Sequence, residues 1–120
     1  KNVPDKNGNT PLHVAAANGH DYAVRTLMAL FAAVDEKNEL GRLPLHDAVQ
    51  NGHVDVVTTL LHGHQETVNA ADADGRTPLF IAAATGQSRM VDFLLNNGAD
   101  LRRTDEFGNS ALHIAVFSKN

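Results

Sequence analysis

Gly75-Arg76-Thr77-Pro78-Leu79-Phe80-Ile81-Ala82-Ala83 combines a turn glycine, a threonine able to cap a helix N-terminus, a proline suited to the first helical position, and Leu and Ala at helical spacing. Physically it is an instruction to turn and start a helix. Three relatives of it stand at Gly8 to Ala16, Gly41 to Val49 and Gly108 to Val116. Measured between Asp5, Asn38, Asp72 and Asp105, the residues three before each turn glycine, the periods are 33, 34 and 33. Self-similarity at that period marks a repeat protein whose core is linear, each unit burying its apolar face against its neighbours.

Each unit reads as turn, helix, helix. In the first, Thr10 caps and Pro11 begins a helix carrying Leu12, Ala15 and Ala16 on one face, and Gly19 stops it. A second helix is predicted from roughly residue 21 to 30, with Val24, Leu27 and Met28 on its apolar stripe. The second unit repeats this through Leu45, Ala48, Val49, Gly52, Val57, Leu60 and Leu61, but Leu43 replaces the capping hydroxyl, which predicts a start weaker by about 1 kcal/mol. The third unit is the most regular, with Leu79, Ala82, Leu94 and Leu95 as its core, and is predicted to be the stability centre. One residue too many lies between His62 and Thr67; because the flanking helices keep register, a surface bulge with unchanged stacking is expected. The fourth unit supplies Ser110 as a cap and Leu112, Ala115 and Val116, then ends without a second helix, so further repeats or domains of the same polypeptide are expected.

Composition restricts the function. Ten basic residues among fourteen acidic ones, a net charge of -4 and a pI near 5.9 provide no positive field for a phosphate backbone, so nucleic acid is not an expected partner. Without cysteine there is no disulfide framework, thiolate metal site or thiol nucleophile, as suits an intracellular, cytoplasmic or nuclear, protein. The longest apolar run, Leu27 to Val34, is too short to span a bilayer.

Thr10-Pro11-Leu12-His13-Val14-Ala15-Ala16 followed by Asn18-Gly19-His20 resembles the central phrase of the ankyrin repeat family. Leu45-His46 with Asn51-Gly52-His53, and Leu112-His113, repeat parts of it, and Asn97-Gly98-Ala99-Asp100 is similar to the family's link into the next hairpin. The resemblance covers the chain from about Asp5 onward. It implies an all-α solenoid of stacked helix-turn-helix units with projecting hairpin-like turns: one array within residues 1–120, with repeats at about 5–37, 38–71 and 72–104 and a partial one at 105–120. Three departures stand out: Phe31 in place of the link glycine, the extra residue between His62 and Thr67, and Phe80 in place of the motif histidine.

Seven histidines invite a metal reading. The resemblance instead assigns His13, His46 and His113 to a hydrogen-bond network between repeats, and places His20 and His53 at a structural position after the glycine. A repeat axis also spaces them about 10 Å apart, beyond shared coordination. His62 and His64, with Glu66, could share one face of a loop, but no third ligand is specified, so a solvated loop and no metal is the expectation. Carboxylate pairs such as Asp72 and Asp74, or Asp105 and Glu106, read as solvated turn residues without the burial that acid catalysis needs. No enzyme activity and no cofactor is expected.

What the resemblance implies is a protein-protein interaction module, with a structural spacer or scaffold segment of a larger protein as the alternative. Its contact positions, carried over, are Lys6, Asn7 and Asn9; Lys37, Glu39, Leu40 and Arg42; Gln50 and Asn51; Ala73, Asp74, Arg76 and Thr85; and Thr104, Glu106, Phe107 and Asn109. Leu40 and Phe107 are candidate anchors at otherwise polar tips. Arg42 and Arg76 fall at one place in successive repeats, which suits an acidic partner segment or, equally, two solvated arginines.

Overall fold

The computed structural model describes residues 8–30, 34, 36–100, 102–108 and 110. The expectations for Asp5, Lys6, Asn7, Phe31, Asn109, His113 and the fourth-repeat helix lie outside these residues.

Among the described residues six α-helices run in chain order: α1 Pro11–Ala17, α2 Asp21–Ala29, α3 Pro44–Gln50, α4 Val54–Leu61, α5 Pro78–Ala84 and α6 Ser88–Asn96. The architecture is all-α, built from three helix pairs. Thr10 starts α1 as read from the sequence: its Oγ1 accepts from the His13 N–H at 3.3 Å, and its own N–H donates to His13 Nδ1 at 3.1 Å. His13 thus takes the part that Glu or Gln plays in a capping box. At α3 the hydroxyl is gone, yet the Leu43 N–H still donates to His46 Nδ1 at 2.9 Å, and the Leu43 side chain is buried. Burying a leucine contributes roughly 1.5–3 kcal/mol, enough to offset the missing cap.

Leu12, Leu45 and Leu79 occupy one register position and are all buried, as are Ala15, Ala48 and Ala82 at the next core position. Alanine there lets α1, α3 and α5 approach closely, and they form a row. Burial is greatest across the second and third units: Pro78 to Ala83 are all buried in α5, and Val56, Val57, Leu60 and Leu61 in α4. Of the leucine pair in α6, Leu94 is fully buried and Leu95 only partly, so the deepest burial is shared between the second and third units.

The extra residue does more than bulge. Gly63, at φ 79°, ends the turn after α4, and Gln65–Asn69 winds into a 3₁₀ helix whose Thr67 and Val68 are buried against α4 and α5. On the second-helix side, α4 and α6 do not pack as α2 and α4 do. The first-helix row and the hairpins keep their stacking, so the expectation of unchanged stacking holds on one side of the solenoid only.

Consecutive hairpins are tied by the Ala73 N–H to the Leu40 carbonyl and the Glu106 N–H to the Asp74 carbonyl, each 2.9 Å. Gly41 and Gly75 permit this contact. Both have positive φ, and a Cβ at Gly41 would lie 2.6 Å from the Ala73 nitrogen, one at Gly75 2.9 Å from that of Glu106.

Candidate protein-binding face

Each hairpin is shaped by the residue three before its glycine. Asn38 Oδ1 accepts from the N–H groups of Leu40 and Arg42, Asp72 Oδ1 from those of Asp74 and Arg76, and Asp105 Oδ1 from that of Phe107. Folding the head side chain back over the turn leaves the residue two further on standing outward. Those residues are Leu40, Asp74 and Phe107, and Leu40 is 64% and Phe107 79% exposed. The sequence expectation of apolar tips is met for both. Lys37, Glu39, Ala73, Thr104 and Glu106 are exposed beside them.

The arginines depart from expectation. Only 13% of the Arg42 side chain is exposed: its Nη1 donates to Gln50 Oε1 and lies 3.6 Å from Asp47 Oδ1, while its Nε lies 3.6 Å from Asp72 Oδ2. Arg76 Nε is 3.3 Å from the same Asp72 oxygen, and its Nη2 donates to Asp74 Oδ2 at 2.8 Å. Asp72, expected to be solvated, has a side chain only 1% exposed and is clasped between the two arginines. Arg42 Nε, Arg76 Nε and Asp72 Oδ2 meet at Coulombic distance without hydrogen-bond geometry. Arg42 is therefore shielded, whereas Arg76 keeps 37% of its side chain exposed; carboxylates of their own chain meet both. Burial pushes the Asp47 carboxyl up, against the attraction of His13 and Arg42.

Two depressions flank this clasp. Asn9, His13, Val14, Ala17, Asn18, Asn38, Leu40, Arg42 and Asp47 line the first, and Arg42, Gln50, Arg76, Phe80, Ile81, Ala84 and Thr85 the second. The structure thus brings Asn9 and Leu40 into one groove, Gln50, Arg76 and Thr85 into the other, and Arg42 into both. Asn51 does something else: its Nδ2 donates to the Ala17 carbonyl at 2.8 Å, stitching α3 to the preceding unit. Sequence reasoning missed Val14, Asp47 and Ile81. They share one register position, two residues after each core leucine, and Val14 there is 47% exposed.

Three histidines connect repeats. Nε2 of His13 lies 2.8 Å from the Arg42 carbonyl, Nε2 of His46 2.9 Å from that of Ala70, and Nε2 of His53 3.1 Å from that of Ala17. Burial lowers the His46 pKa to about 4, outweighing the Ala70 carbonyl and Asp72. His64 Nδ1 is 3.9 Å from Glu66 Oε2. Among the described residues no group of three or more His, Cys, Asp or Glu converges, and no helix is long and apolar enough to cross a membrane.

Comparison with known proteins agrees with this architecture. Residues 1–72 match the family described as ankyrin repeats (3 copies), and residues 60–115 match ankyrin repeats (many copies). Over 119 residues, 99% of the chain, it is 37% identical to neurogenic locus notch homolog protein 1 of Xenopus tropicalis and 34% identical to that of Homo sapiens. Over 116 residues, 97% of the chain, it is 34% identical to neurogenic locus notch homolog protein 2 of Homo sapiens. In each case the chain spans 5% of the relative's length. With the repeat phrase, the stacked helix pairs, the linked hairpins and these matches in agreement, the chain belongs to the ankyrin repeat family.

Proposed function

We propose that this array is a non-enzymatic protein-binding module that holds a partner protein along its hairpin tips and the inner face of its first helices. The observation that carries this is the groove between Val14 and Leu40. Both side chains are exposed, and Asn9, Asn18 and Asn38 line the same groove. Such a mixture, apolar anchors with a few convergent polar groups, suits peptide capture better than a plain solvated edge. The candidate contacts on this face are Lys37, Glu39, Leu40, Gln50, Asp74, Thr85, Thr104, Glu106 and Phe107, joined by Val14. Arg42 and Arg76 act as supports beneath it.

The test is to capture partners on the immobilised chain and measure the affinity of each for Val14→Asp, Leu40→Asp and Tyr22→Asp variants. Tyr22, 84% exposed on α2, is the control on the other helix row. Loss of more than about tenfold, ~1.4 kcal/mol, in the first two variants with Tyr22→Asp unchanged and all melts unchanged supports the proposal. Unchanged affinity in every variant transfers recognition to another face, and capture of no partner leaves the spacer role.

A further inference from the structure

We infer that the partner segment held by this face is an extended, basic stretch with two apolar residues about five or six positions apart, an inference that rests on the binding function proposed above. Its geometry comes from the tip row. Leu40, Asp74 and Phe107 hold equivalent places in hairpins joined by the Ala73–Leu40 and Glu106–Asp74 backbone bonds, so the two exposed apolar side chains stand in one line. Stacked helices lie about 8–10 Å apart, which places these anchors on the order of 16–20 Å from each other. An extended chain rises about 3.3 Å per residue and covers that span in about five or six residues.

The charge of the strip selects the occupant. Arg42 and Arg76 are matched by Asp47, Asp72 and Asp74, so they offer an incoming acid little. Glu39 and Glu106 add exposed carboxylates immediately before Leu40 and Phe107, and among the described residues neither makes an ion pair. Asp74, paired with Arg76 yet still 53% exposed, lies between the anchors. Lys37 is the exposed cation on the approach to the first tip; at the third, Arg102 pairs with Asp100, while Arg103, 3.5 Å from the Asn69 carbonyl, keeps its charge. A strip with excess carboxylate around two apolar anchors is complementary to Lys or Arg between two apolar side chains.

Three fluorescein-labelled peptides test this by anisotropy: lysine-rich with two leucines at that spacing, the same with serine for leucine, and the same with glutamate for lysine. The first is expected to bind, the second about tenfold more weakly, the third not at all. A Glu39→Lys and Glu106→Lys double variant should weaken the first at least tenfold and flatten its salt dependence. A Leu40→Ala and Phe107→Ala pair should weaken it about tenfold with the salt slope kept. Tighter binding of the glutamate peptide, or lysine-peptide binding unmoved by both double variants, overturns the inference. Failure of the lysine peptide while captured partners are still lost on Leu40→Asp removes this inference and leaves the binding function standing.

Discussion

The seam between the first and second repeats and the seam between the second and third solve the same packing problem with different chemistry. At the first seam both helix rows pack, α1 on α3 and α2 on α4, and the polar links are mostly between neutral groups: His13 to the Arg42 carbonyl, Asn38 Nδ2 to Asn9 Oδ1 at 2.7 Å, and Asn51 and His53 to the Ala17 carbonyl. At the second seam the 3₁₀ turn packs on α4 and α5, α4 and α6 do not pack as α2 and α4 do, and an ionic clasp stands at the hairpins. One residue type accounts for the clasp. Asn38 carries an amide that can donate backward to Asn9; Asp72, at the same position, has only acceptors and so collects Arg42 and Arg76. A neutral head suits a seam closed along both rows, whereas the charged head reinforces the row that the insertion left intact.

The largest effect that could break this contrast is at Asp72. Asp72→Ala removes the acceptor of two backbone N–H groups and leaves the shielded Arg42 guanidinium and the partly exposed Arg76 one without their shared partner, so a loss of about 3 kcal/mol is expected in urea denaturation. Asn38→Ala should lose only about 1–3 kcal/mol. Equal losses would mean that the clasp adds nothing to the second seam.

Next in size is the pH response of that seam. The folded pKa of His46, about 4, lies below its ordinary 6.5, so the unfolded chain takes the proton first. The contribution of neutral His46 is complete above pH 6.5 and is lost as pH falls toward 4, at up to ~1.4 kcal/mol per pH unit. Asp47, with its pKa raised, works in the opposite direction as acid is added. Denaturation at several pH values in this window should show the decline, and His46→Gln should flatten it at lower overall stability. An unaltered slope in that variant would assign the response to other groups.

Smaller still are the caps. Thr10→Ala and Thr77→Ala should each lose about 1 kcal/mol in thermal melts. Leu43→Thr should come out near neutral, since the cap gained opposes the apolar burial lost. A clear gain there would show that the buried leucine contributes little. Smallest are the tips: Leu40→Ala and Phe107→Ala should move stability by no more than about 0.5 kcal/mol, because both side chains lie mostly in solvent. A larger shift would place them in the stack and not on a binding face.

The period, the hairpin glycines, the start of α1 at Thr10-Pro11, the core leucines and alanines, and the outward placing of Leu40 and Phe107 are legible in the order of residues alone. These follow from interactions within a few residues: a hydroxyl reaching the N–H three positions on, a glycine tolerating positive φ, apolar side chains recurring at helical spacing. Tertiary structure decided what depends on contacts between repeats. Arg42 reads as an exposed hairpin arginine until α3 brings Asp47 and the next hairpin brings Asp72, thirty residues away in the chain. The extra link residue reads as a bulge until Val68 is seen to gain more by burial against α4 and α5 than a surface loop would offer. Val14, Asp47 and Ile81 become one groove position only when three first helices stand side by side. Local signals are set by short-range sterics and hydrogen bonding, whereas the partner of a charge or an apolar side chain is set by whichever repeat the stack places against it.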